Sequence, residues 1–133
     1  MAFYRTREGA ITAADTFTAL DSLYGQSTTA SVQVPSGATA IVGIIASIAT
    51  DSATNGAATF AMQLSGDGLS SGQETLNIGS QGVDGTPASN GMTNSPMTLD
   101  VAIPVVGSNQ VSIAVAMDVD VGSAQSSVTL VFA

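Results

Sequence analysis

Between Val111 and Val121 every second residue is apolar: Val111, Ile113, Val115, Met117, Val119 and Val121. Ser112, Ala114, Ala116, Asp118 and Asp120 stand between them. Side chains of an extended chain point alternately to opposite faces, so the pattern predicts a long strand with one buried face. The stretch before it repeats the design, with Leu99, Val101, Ile103 and Val105 alternating with Asp100, Ala102 and Pro104. The turn residues from Val106 to Gln110 predict a hairpin between these two strands.

The alternation recurs along the chain at Ala30–Val34, Phe60–Leu64, Leu76–Ile78 and Val128–Phe132. Ala40–Ala49 is almost continuously apolar, and its four isoleucines and Gly43 disfavour a helix. It is predicted to be a strand buried on both faces. About seven strands separated by turn residues read as an all-β fold, an antiparallel β-sandwich or barrel. Residues 13–25 are open at this level. Phe17, Leu20, Leu23 and Tyr24 have helical spacing with Gly25 as a possible cap, while Thr16-Phe17-Thr18 suits a strand or extended arm, the favoured reading. Residues 79–96 carry four glycines and two prolines with no periodicity, which predicts a long loop.

Composition removes most chemistry. The chain has no Cys, no His and no Lys, so thiolate and imidazole sites, Ser-His-Asp triads and Schiff bases are excluded. Only 9% of residues are charged, and the net charge is −8. Two arginines cannot coat a phosphate backbone, so no direct nucleic-acid partner is expected. No apolar run reaches the length of a membrane helix, so no membrane partner is expected either. The first seven residues hold no apolar h-region, so no secretory signal is expected. With two tyrosines and no Trp, the carboxylates lack the aromatic platforms and positioning cations of a glycosidase. No enzymatic activity and no cofactor are expected.

Four groups of residues invite a functional reading. Asp118 and Asp120 share the outward face of one predicted strand, and Asp100 would join them across the hairpin. Three carboxylates on one face make a candidate calcium site, against the simpler reading of a charged edge that blocks unwanted pairing. Asp67 and Glu74 lie in a glycine-rich stretch and read as turn chemistry. Ala102, Ala114 and Ala116 occupy outward positions on predicted neighbouring strands, a flat surface that a second subunit could approach. Finally, residues 1–12 form a candidate N-terminal arm on a body of residues 13–133. This arm holds both cations, Arg5 and Arg7, beside Phe3 and Tyr4. Aromatic and Arg side chains anchor interfaces, so these four are candidate partner-binding residues; an ordinary first strand is the simpler alternative.

Short alternating strands, the Met1–Glu8 arm, the 79–96 loop and the closing strand Ser126–Ala133 resemble the small jelly-roll structural proteins of viruses. The likeness is greatest to the capsid decoration, or cement, proteins of tailed bacteriophages. The resemblance implies a single eight-stranded jelly roll that forms homotrimers on the outer capsid surface of the virion after assembly in the host cytoplasm. It implies an arm gripping the major capsid protein. Two other roles suit a domain of this composition: an extracellular filament or surface-layer subunit, and a carbohydrate-binding β-sandwich module.

Overall fold

The computed structural model describes residues 2–50, 55–84, 90–119 and 124–133. Its strands are β1 (Phe3–Ile11), β2 (Thr18–Ala19), β3 (Ser22–Leu23), β4 (Gln26–Ser27), β5 (Ser31–Gln33), β6 (Ala40–Thr50), β7 (Asn55–Ser65), β8 (Gln73–Asp84), β9 (Asn90–Pro104), β10 (Gln110–Met117) and β11 (Ala124–Phe132). One sheet has the order β4-β3-β1-β11-β6-β9; the other has β2-β10-β7-β8, with β5 also on β10. Every strand pair is antiparallel.

The partners are nested. β1 pairs with β11, β2 and β5 with β10, β6 with β9, and β7 with β8. First meets last and the innermost two meet each other, as in a long antiparallel ribbon rolled into two facing sheets. That is the jelly-roll order, with β2 and β5 sharing the second of eight strand positions.

Period-two burial fixes which faces meet. Ile41, Ile44, Ile48, Val128, Leu130 and Phe132 are buried from the first sheet. Phe60, Met62, Leu64, Ile113, Val115 and Met117 meet them from the second. Each such side chain contributes roughly 1.5–3 kcal/mol on burial. β6 is buried on one face only, because Ile45, Ser47 and Ala49 on the other remain partly exposed. Ser126 lies on the inner face between Ala124 and Val128, and its Oγ has no hydrogen-bond partner among the described residues. Leaving a buried hydroxyl unsatisfied costs about 1 kcal/mol or more. Ser126→Ala should therefore raise the urea-unfolding free energy by about 1 kcal/mol; an equal loss would mean that the hydroxyl is satisfied.

Several expectations are corrected. Residues 3–11 are not an arm but a full strand, hydrogen-bonded to β11 from Phe3↔Phe132 to Ile11↔Ala124. β9 and β10 do not form a hairpin; they lie in different sheets. The turn between them is tied to other segments, through Val105 N–H to Thr39 O, Val106 N–H to Gly68 O and Ser108 N–H to Val34 O. It carries the chain across the end of the sandwich. Residues 79–84 and 90–96 are strand rather than loop, because β7 and β6 supply backbone partners to these polar stretches. Pro96 and Pro104 lie on β9, the edge strand of its sheet, where a missing N–H costs no ladder bond.

Within β9, Ile103 pairs with Ile41 but Thr98 pairs with Gly43, so Leu99–Ala102 bulge out opposite Val42 alone. Leu99 leans onto the core, and Val101, expected inside, is 83% exposed. Strand β10 stops at Met117, which leaves Val119 49% exposed rather than buried. Residues 13–25 hold short strands and no helix, in keeping with the extended reading. Tyr24 and Gly25, with φ of 52° and 73°, form the two-residue turn between β3 and β4. Positive φ at both positions matches the twist of a tight hairpin.

Candidate functional site

Small side chains line up across the outer face of the second sheet. Ala116 on β10 pairs with Ala61 on β7, and Ala61 pairs with Asn77 on β8. A bulge at Ile78–Gly79 shifts the β7–β8 register beside this row. The segment before β2 packs along one end of it: Ala14 bridges Met117, and Asp15 N–H donates to Met117 O at 2.8 Å. Asp15 takes φ of 55°, a left-handed conformation that Asp tolerates better than most residues. Phe17 follows, 39% exposed. At the same end Asp118 Oδ1 accepts the Thr59 N–H at 2.7 Å, while Asp118 N–H donates to Thr59 O at 3.1 Å.

The result is a concavity of about 350 Å3. Its floor is Ala61 and Ala116, its wall Phe17, and its polar rim Asp15, Asp118, Thr59 and Asn77. An apolar, aromatic hollow rimmed by two carboxylates and an amide can hold a partner that is apolar at its stem and donates hydrogen bonds at its tip. A second hollow, lined by Ser31, Gly66, Asp67, Ser108, Asn109, Gln110 and Ser112, is mainly polar.

The residues singled out in the sequence are dispersed. Asp100 lies in the β9 bulge of the first sheet, Asp118 at the end of β10 in the second, and Asp120 outside the described residues. The hairpin that would have joined Asp100 to Asp118 does not form. Ala102 is likewise on the first sheet, apart from Ala114 and Ala116 on the second. Ala114 and Ala116 do face outward, but Ala116 is buried, at the floor of the concavity. The Asp67 stretch is a turn, with Asn109 Nδ2–H donating to Asp67 O and Ser71 Oγ–H donating to Glu74 Oε1.

On β1, Phe3 packs against the core and Tyr4 is 59% exposed on the outer face. Arg5 pairs opposite Leu130 and Arg7 opposite Val128, so both start from the inner face. Arg7 is engaged within the domain. Its Nε–H donates to Thr29 O at 2.8 Å, its Nη2–H to Ser31 O at 2.9 Å, and its Nη1–H to Thr6 O at 2.8 Å. Ser31 begins β5 of the opposite sheet, so the guanidinium closes the open side of the sandwich. Arg7 is thus a structural tie, not the partner-binding cation expected. Among the described residues Arg5 makes one bond, from Nη1–H to Tyr4 O at 3.1 Å.

No family model matches the chain, and no curated protein matches it significantly. Among solved structures, a chain from the 2.6 Å structure of Infectious Bursal Virus derived T=1 particles is similar. The likeness covers 96% of this chain and 31% of that one, at 14% identity and a TM-score of 0.36. This chain therefore spans less than a third of that protein. The jelly-roll assignment rests on the strand order of the chain itself.

Proposed function

We propose that this chain is a non-enzymatic structural protein of a viral shell, one that works by packing on copies of itself and on other shell subunits. The carrying observation is the outer face of the second sheet. Across its middle, the outward positions on β10, β7 and β8 are Ala, Ser, Thr, Gln and Asn, from Ser112, Ala114 and Ala116 to Ala61, Gln63, Thr75 and Asn77. No charged side chain interrupts that row. Burying that row freezes little side-chain entropy, and the carboxylates of Asp15 and Asp118 stand only at its end. A sheet face that carries such a row is suited to dense packing. The exposed Tyr4, Tyr24 and Val101 add apolar anchors on the first sheet.

The finer form of the reading is a decoration or cement protein, trimeric, set on the outer capsid surface against the major capsid protein. The resemblance to phage decoration proteins supports it, as does the net charge of −8, which suits a surface facing solvent better than one facing a genome. Light scattering coupled to size-exclusion chromatography tests the core of the proposal. The purified chain should self-associate without any added cofactor. A strict monomer at the highest attainable concentration would overturn it.

A further inference from the structure

We propose that the concavity walled by Phe17 receives the Arg5 side chain of a second copy of this chain, in a head-to-tail contact. The inference rests on the self-packing reading above and names the contact that joins the copies.

The concavity selects for a cation. Phe17 offers an aromatic face, and Asp15 and Asp118 stand beside it with no basic residue in the lining. A guanidinium gains from both, through cation–π attraction and charge-assisted hydrogen bonds. Its methylene stem would lie on Ala61 and Ala116. An anionic ligand meets two carboxylates on a chain of net charge −8 and is repelled.

The chain offers one suitable occupant. It contains two cations. Arg7 is tied to Thr29, Thr6 and Ser31 of its own domain. Among the described residues Arg5 makes a single hydrogen bond, to Tyr4 O, and a guanidinium has five donors. A body of net charge −8 repels its own copies unless a local attraction intervenes. Arg5 against Asp15 and Asp118 supplies that attraction.

The two halves cannot meet within one molecule. Arg5 lies six residues before the end of β1 at Ile11 (11 − 5), and Asp15 lies beyond that end. Six residues of strand span about 20 Å. Donor and acceptor therefore sit toward opposite ends of the domain, as a head-to-tail contact requires; such a contact closes rings when the rotation allows.

The test uses three variants of the full chain: Arg5→Ala, Phe17→Ala, and Asp15→Asn combined with Asp118→Asn. Asn tolerates the Asp15 backbone and still accepts the Thr59 N–H, so the last variant should melt close to the parent. Each should weaken self-association at least tenfold by light scattering across a dilution series, and the parent's association should weaken with added salt. Mixing the Arg5→Ala chain with the double-Asn chain should restore one intact contact and give a 1:1 dimer that neither forms alone. That dimer also excludes misfolding as the cause of the loss. If the parent associates and all three variants match it, the inference fails and the self-packing reading stands. If the parent is monomeric, both fail. A neutral saccharide or another protein's basic segment as the true occupant would leave Arg5→Ala association unchanged, and so overturns the inference.

Discussion

Deleting residues 1–8 should abolish folding. The segment removes β1 from Phe3 to Glu8, and with it the ladder to β11 from Phe3↔Phe132 to Glu8↔Ser127. It uncovers one side of Val128, Leu130 and Phe132, all fully buried. It also takes away Arg7 and its three bonds. Six ladder positions at about 1 kcal/mol per hydrogen bond, added to the uncovered core, match the 5–15 kcal/mol that holds a domain of this size together. Circular dichroism and a thermal melt give the answer. The expected result is loss of the cooperative transition. A truncated domain that still melts sharply and merely fails to attach to a partner would restore the arm.

Arg7→Met should cost about 2 kcal/mol in urea unfolding, since hydrogen bonds from a charged group contribute about 1.5–3 kcal/mol each and part of this guanidinium is solvent-exposed. Methionine keeps the apolar stem over the sheet edge and removes only the donors. Two of the lost bonds, to Thr29 O and Ser31 O, connect the first sheet to the segment entering β5. Arg7→Lys should recover less than half the loss, because one ammonium cannot fork between two carbonyls in the way a planar guanidinium does. An unchanged midpoint in Arg7→Met would show that the side chain rests on those carbonyls without holding them.

The strands were legible in the sequence because alternation is a local property. Val111–Met117 and Val128–Phe132 can be read residue by residue, and their buried faces come out as the pattern requires. Pairing is not local. The same turn residues at 106–110 serve a hairpin or a crossing between sheets, and what decides is whether Thr39, Val34 and Gly68 wait on the far side with free carbonyls. Val101 shows the other limit. Its spacing from Leu99 and Ile103 is that of a buried strand face, but a bulge resets the phase between them.

The candidate site was half visible. Ala116 and Asp118 stood out as outward residues on a strong strand, while Asp15 and Phe17 come from the segment before β2 and Asn77 from β8. No spacing in the chain connects these. Only the β10–β7–β8 register and the Ala14–Met117 bridge bring them to one place. For Arg5 and Arg7, composition located the cations but not their different employments. Arg7 is two residues further along the same strand, and that alone brings it level with the carbonyls of Thr29 and Ser31.

The ladder that joins Phe3 to Phe132 spans 129 positions of chain (132 − 3). A polypeptide emerging from the ribosome must hold its opening segment unpaired until the closing one appears. Contacts so remote in sequence slow the search for the native state to milliseconds or seconds. Through that interval the bare edge of the nascent sheet is open to the wrong neighbour. Copies made side by side in quantity would meet this hazard most, and a surface of net charge −8 keeps unfinished molecules apart while they wait.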